Sequence, residues 1–355
     1  MSEHEPRRAD PTRLEGLAAQ LFQHAGIPPR DAERAAAILI DADLRGIESH
    51  GVMNLPSYLD DLAAGRTNPR PNIAMKAGSP TTVSLDGDRG LGLLVGYRAM
   101  SECIRMAKEV GTGWATVCNS THSGAGTYYV VMAARQGMVG LHVSTGGSTV
   151  AAPGGTRRLL GNNVFAFAAP GQEHGPLVLD MAPTMAIANK IKKLEWDRKP
   201  MPEGWAVDRN GRFITDPATY FATEGAILPL GGTPANGVHK GFGLLLLVDI
   251  LAGALSGDGG SMLRRKGEHC HAFCALRIDA FPTGGDFGHL VDAMVEKLHT
   301  TPTAPGASRV RYPGERGNQA SKDRRAQGIP LRAEVIAALE TAAAAAKIET
   351  AGLWV

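Results

Sequence analysis

Four short stretches carry side chains suited to moving a proton beside a bound anion. Arg45-Gly46-Ile47-Glu48-Ser49-His50-Gly51 closes an apolar helical pattern and opens a turn. An imidazole between a serine and a glycine, just past a helix end, can face a cleft, and its ordinary pKa of roughly 6.5 suits proton transfer at neutral pH. A second histidine, His122, stands in Asn119-Ser120-Thr121-His122-Ser123-Gly124-Ala125-Gly126, between a strand pattern and a helix pattern. Backbone N–H groups of such a small-residue loop can approach a phosphate or carboxylate. Asp180 ends the apolar run Leu177-Val178-Leu179, where a carboxylate is costly unless paired. A histidine would be its useful partner, because a carboxylate fixes the tautomer and stabilises the imidazolium. Lys240-Gly241-Phe242-Gly243 opens an apolar helix and could also meet an anion, although the P-loop frame is missing. Taken singly, each has a plainer explanation: a surface-loop histidine, a strand-to-helix turn, a capping aspartate.

The elements that must position these residues are legible in part. Asp10-Pro11 reads as an N-cap with proline at the first helical position, followed by the stripe Leu14, Leu17, Ala18, Leu21, Phe22. Further helical patterns cover Asp31 to Leu44 and Pro56 to Ala64, and the proline-bearing stretch from Asn68 to Ser79 reads as a linker. Strand patterns recur at Thr81–Leu85, Trp114–Cys118, Val139–Val143, Val164–Ala168, Leu177–Leu179 and His271–Phe281, with a helix at Tyr128–Arg135 among them. Residues from about 197 to 236 are rich in turns and read as an irregular arm or lid. A final helix holds Val335, Ile336 and Leu339. The expected fold is a multidomain α+β protein. Residues 1–75 form a helical part, 76–300 an α+β body, and 301–355 return to pack with the N-terminal helices. No G-x-G-x-x-G opens a helix after a strand, so an ordinary Rossmann domain is not expected.

Composition narrows the class. With 355 residues, 43% of them hydrophobic and 20% charged, the chain can bury a large core. A net charge of +2, with no basic run longer than Arg264-Arg265-Lys266, argues against a nucleic-acid binder. The polar N-terminus lacks a secretory signal pattern, and the apolar run Leu244–Leu255, broken by Asp249, is too short for a membrane span and reads as a buried helix. The cysteines Cys103, Cys118, Cys270 and Cys274 are scattered, which fits a reducing cytoplasm. His269-Cys270-His271 with Cys274 matches no common zinc spacing, so no metal is expected.

Together these stretches resemble one family. Ser49-His50-Gly51, Asn119-x-Thr121-His122-x-Gly124, Pro153-Gly154-Gly155, Asp180-Met181-Ala182, Gly204-Trp205-Ala206-Val207-Asp208, Lys240-Gly241-Phe242-Gly243 and Tyr312-Pro313-Gly314-Glu315 are similar to the malate/L-lactate dehydrogenase family of non-Rossmann oxidoreductases. The resemblance runs from about Leu14 to Leu339. It implies a mixed-sheet NAD(P)-binding domain with a helical domain built from both chain ends. It also implies NADH or NADPH as cofactor, a small 2-oxo acid, 2-hydroxy acid or cyclic imine as substrate, and a homodimer. His50, beside Ser49, would be the proton donor or acceptor, with Asp180 linked to it in a relay. His122 would lie against substrate or nicotinamide and could hold the acid/base role instead. Ser123, Gly124, Ala125, Gly126, Gly146, Asp180, Met181, Ala182, Lys240, Gly314 and Glu315 would line the cofactor, together with His122.

The substrate end departs from the family pattern. Asn54 stands where members usually carry an arginine that holds a substrate carboxylate, and an amide cannot neutralise that charge. Gly161-Asn162-Asn163-Val164 replaces Gly-Thr-Asn-Pro, and Asn189-Lys190 replaces Gly-Lys. A substrate other than simple malate or lactate is therefore expected. Arg157 and Arg158 are candidates for holding a 2′-phosphate. The alternative to an enzyme is a catalytically silent relative that binds a nucleotide or small metabolite. A hydrolase with His50, His122 and Asp180 around a metal would leave the glycine loops unexplained.

Overall fold

The computed structural model describes residues 7–263, 269–282 and 286–354. The basic run Arg264-Arg265-Lys266 and the first six residues of the polar N-terminus lie outside the described residues. A seven-stranded sheet forms the body: β1 (Ala74–Ser79), β2 (Thr82–Asp86), β3 (Thr112–Ser120), β4 (Met138–Ser144), β5 (Val164–Ala169), β6 (Leu177–Met181) and β7 (His269–Arg277). Their order in space is β1-β2-β3-β7-β4-β5-β6. Strands β2 and β3 run parallel, and the other neighbours are antiparallel. The helix α4 (Gly92–Val110) makes the crossover that a parallel pair requires. The late strand β7 inserts between β3 and β4, which sets His269 opposite Ser120 and His271 opposite Ser144.

Both chain ends share one apolar cluster. Helices α1 (Pro11–His24), α2 (Pro29–Leu44) and α3 (Leu55–Ala63) bury Phe22, Ile38, Leu39 and Leu55 together with Ile329, Val335 and Leu339 from the C-terminal segment. A short antiparallel ladder pairs Arg7–Ala9 with Ile329–Leu331. The Asp10 carboxylate caps α1 by accepting the Arg13 N–H, with Pro11 at the first helical position.

Four elements differ from the sequence expectation. The stretch read as a linker contains β1, an edge strand exposed at every position, so it carries no apolar alternation. Residues 197–236, read as irregular, carry regular structure. They supply Ala206–Val207 and Ala226–Ile227 to a four-stranded sheet, and Tyr220, Ile214 and Ile227 pack in its core. The helix after α5 (Gly126–Ala134) and α6 (Ala188–Trp196), α7 (Val238–Val248), continues through a π-helical turn to Ser256, making 19 residues long and apolar enough to cross a membrane by length and composition. It is buried on one face only: Leu245, Val248 and Ala252 are covered, whereas Leu244, Leu247, Ile250 and Leu255 are exposed. Finally, after α8 (Phe287–His299), the helix α9 (Glu315–Gln327) precedes α10 (Ala333–Ala345); its sequence has almost no apolar residues and so no periodicity to read.

Glycine at the start of α4 matters to the site that follows. A Cβ on Gly92 would overlap the carbonyl oxygen of Thr121 and crowd that of His122. Gly92→Ala should therefore destabilise the fold by about 1–3 kcal/mol, read by urea denaturation, and displace the His122 loop. An unchanged unfolding midpoint would show that this contact is not tight.

Candidate active site

Helix α2 stops at Gly46, which turns the chain at φ +73°. A single helical turn, Glu48–His50, follows. Ions from two other helices hold it: the Glu48 carboxylate bonds Lys193 of α6 at 2.7 Å and Arg324 of α9 at 3.0 Å. Within the turn, Ser49 Oγ lies 2.9 Å from His50 Nδ1. The Ser49 carbonyl accepts from Asn54 Nδ2 and from Asn189 Nδ2, each at 2.8 Å, and Asn189 Nδ2 also reaches Asn54 Oδ1 at 3.3 Å. The two amides that depart from the family pattern thus meet beside His50.

His122 leaves the end of β3 and stacks on His50, with ring centroids 5.6 Å apart and planes at 27°. Its Nδ1 takes Tyr58 Oη at 2.6 Å and the Gly124 N–H at 3.4 Å. A backbone amide can only donate, so this Nδ1 accepts and a neutral His122 carries its proton on Nε2. His269 meets the His122 ring edge-on at 5.9 Å, and its Nδ1 donates to the Thr145 carbonyl at 2.8 Å. The file continues into the sheet through His271, whose Nδ1 is 2.8 Å from Ser144 Oγ, and then His142. Tyr58 was not singled out in the sequence, where its helix shows only a core pattern. His269 was weighed there as a metal ligand; among the described residues no group of histidines, cysteines or carboxylates is arranged to hold a metal.

Burial sets the charge of this file. Loss of hydration draws His50 down to about 4 and His122, which also faces His50, to about 3. His142 falls to about 4 and His271 well below its ordinary value, again through burial. The relay expected between Asp180 and His50 is not formed. The Asp180 carboxylate instead accepts the Thr127 N–H and Oγ1–H, both at 2.8 Å, at the first turn of α5. It caps that helix, so the amides there are already satisfied and the Asp180 side chain, raised by burial, is an anchor of α5.

The expected cofactor residues divide in two. Ser123, Gly124, Ala125 and Gly126 are buried in the loop below His122, and buried Gly146 donates its N–H to Asn163 Oδ1 at 3.2 Å. Met181 and Ala182 are half-buried where β6 ends. Lys240 is exposed on the first turn of α7, its N–H donates to the Gly237 carbonyl at 2.9 Å, and its side chain has no hydrogen bond or ion pair among the described residues. Arg158 is committed to the Gly225 carbonyl and to the Tyr220 ring. Glu315 is buried, pairs with Arg309 and His299, and accepts the Tyr312 N–H, so it pins its own turn. That turn closes a cavity of about 690 Å³ lined by Arg45, Ile47, Thr127, Asp180, Arg311 and Gly314 among others. Gly314 lies at φ +93° against Val178, where a Cβ would collide. Of the side chains that line it, Arg45 is bonded to Asp41 at 2.8 Å and to Asn318 at 3.2 Å, and Thr127 to Asp180, so Arg311 and the Gly314 backbone are the groups that would meet a nucleotide there.

Neutral histidines carry a stability consequence. Their pKa values are lowered in the fold and ordinary in the unfolded chain, so below pH of about 6.5 the unfolded chain binds more protons and stability falls with pH. Asp43, raised to about 7, and Asp180 and Glu15, also raised by burial, act in the opposite sense against four lowered histidines. The Tm at pH 5 should lie roughly 5 °C or more below that at pH 7.5. A Tm that is flat or rises over that range would contradict the neutral assignment.

A profile of the malate/L-lactate dehydrogenase family matches residues 9–340. The chain is 37% identical to a malate dehydrogenase of Pyrococcus horikoshii over 96% of each chain. The solved structure of the Pyrococcus horikoshii malate dehydrogenase superposes with a TM-score of 0.89 over 98% of both chains at 35% identity. An L-sulfolactate dehydrogenase of Methanocaldococcus jannaschii is 34% identical over 86% of this chain and 88% of its own. The structure of a Δ1-piperideine-2-carboxylate reductase from Pseudomonas syringae aligns over 95% of this chain and 99% of its own, with a TM-score of 0.83 at 25% identity. With the histidine pair, the mixed sheet and a match across nearly the whole length, the chain belongs to the malate/L-lactate dehydrogenase family and is a nicotinamide-dependent oxidoreductase.

Proposed function

We propose that the protein interconverts a 2-hydroxy acid and a 2-oxo acid, or reduces a cyclic imine, at the pocket where His50 and His122 stack. The observation that carries this is the stacking of two imidazoles, ring centroids 5.6 Å apart, each with its Nδ1 bonded to a hydroxyl. NADH or NADPH supplies or removes the hydride when bound. A neutral histidine accepts the hydroxyl proton as C–OH is oxidised and returns it in the reverse direction. His122 Nε2–H also polarises a substrate oxygen without needing to be charged, and Tyr58 holds the ring for that task. In this reading Ser49 is a hydrogen-bond partner of His50 and not a nucleophile.

Asn54 and Asn189 supply a neutral donor and acceptor face where a carboxylate clamp would need a cation. This supports a substrate other than simple malate or lactate. Malate is the second reading, favoured by the 37% identity to the Pyrococcus horikoshii malate dehydrogenase. A second copy of the chain covering Leu244, Leu247, Ile250 and Leu255 is supported by their exposure, and this homodimer would be cytoplasmic. No nucleic-acid or membrane partner enters this account.

Titrating NADH and NADPH into the protein, followed by nicotinamide fluorescence, and then adding a panel of oxo acids and cyclic imines tests the proposal. Binding with turnover of an imine or an uncommon oxo acid, and little of oxaloacetate or pyruvate, is the expected result. Efficient oxaloacetate turnover would favour the malate reading, and binding without turnover of anything would favour a silent relative. His50→Ala should lower turnover roughly 10²-fold or more with nicotinamide affinity little changed; near wild-type turnover would move the acid/base role to His122. Asn54→Arg should create affinity for simple 2-oxo acids, and no gain with any of them would remove this position from carboxylate recognition.

A further inference from the structure

Asp43 sits one residue before the end of α2 and is only 1% exposed. A carboxylate there is doubly costly, because it is desolvated and stands at the negative end of the helix. Its Oδ2 accepts the Val52 N–H at 2.8 Å, reaching across the whole turn that carries Ser49 and His50. On the other side of that turn it packs against Gly51, where a Cβ would overlap the carboxylate. The charges facing Asp43 come from three elements. Glu48 lies on the turn itself, Lys193 on α6 and Arg324 on α9, and both cations are bonded to Glu48. Arg324 also donates to the Asp43 backbone carbonyl at 2.7 Å.

We propose that Asp43 is a positioning residue for His50: its carboxylate, locked to Val52 N–H and filling the space that Gly51 leaves, fixes the turn so that the imidazole meets both Ser49 and His122. This rests on the proposed part of His50 in proton transfer. The carboxylate acts through the backbone and touches no reacting atom. Burial is the largest cause that raises Asp43 to about 7, with Glu48 adding and the Val52 N–H, Arg324 and Lys193 opposing. The ionised form holds the turn, and protonation relaxes it. His50 and His122 titrate far lower, so a limb near neutrality belongs to Asp43.

The test is a pH–rate profile of the holoenzyme with wild type, Asp43→Asn, Gly51→Ala and His50→Ala, on whichever substrate of the panel turns over. Wild-type kcat should fall as pH drops through about 7. Asp43→Asn should lose roughly tenfold or more in kcat, with KM for nicotinamide within about twofold, and should be flat across that window. Gly51→Ala, which pushes on the same carboxylate from the other side, should show the same loss in kcat. A wild-type profile without the neutral limb overturns the proposal even if Asp43→Asn does not fold. An Asp43→Asn enzyme with wild-type kcat and an intact limb overturns it as well. Unimpaired His50→Ala would instead overturn the underlying part assigned to His50, which separates the two failures.

Discussion

Two half-buried imidazoles stacked on each other, with no carboxylate bonded to either, are held neutral by the cost of desolvating charge. The rest of the site follows from that constraint. A neutral histidine must have its tautomer chosen for it. At His122 the Gly124 N–H makes that choice, which leaves Tyr58 Oη to donate to the same nitrogen; at His50 the Ser49 hydroxyl meets either tautomer. Each of those partners is in turn fixed by an element that the sheet or the N-terminal helices hold in place. Asp180, which could have charged the pair, is spent on the start of α5 instead. The result is a pair of uncharged rings set among oriented dipoles.

The architecture that brings these parts together is long-range. Insertion of β7 between β3 and β4 places His269 and His271 against the His122 loop. Arg324, from near the C-terminus, grips both the Asp43 carbonyl and the Glu48 carboxylate, so the last helices of the chain hold the turn carrying His50. Gly314 lets the Tyr312–Glu315 turn close against Val178 on the opposite side of the same region. The turn that carries His50 is thus clamped by α6 and α9.

Much of this was legible in the chain. Strand-like runs located β2 to β6, alternation from His271 located β7, and the Asp10-Pro11 cap with its apolar stripe located α1. The exposed strand β1 and the polar helix α9 left no such trace. His50 and His122 stood out by residue type and turn context. Their stacking, the Tyr58 bond and the meeting of Asn54 with Asn189 depend on packing between distant segments, which no local pattern encodes. The expected Asp180 relay failed for a related reason: an aspartate at a strand end is equally suited to cap a neighbouring helix, and Thr127 supplies two donors there. The apolar run of α7 announced burial, but its outer leucines face away from the chain's own core.

The central claim is a neutral histidine pair with the tautomer fixed at His122, and nitrogen-15 NMR of the imidazoles, assigned with His50→Gln and His122→Gln, reads it directly. The account predicts that His122 is neutral at pH 7 with its proton on Nε2 and that both rings stay neutral down to about pH 5. An imidazolium at either position at pH 7, or a His122 protonated on Nδ1, would contradict it.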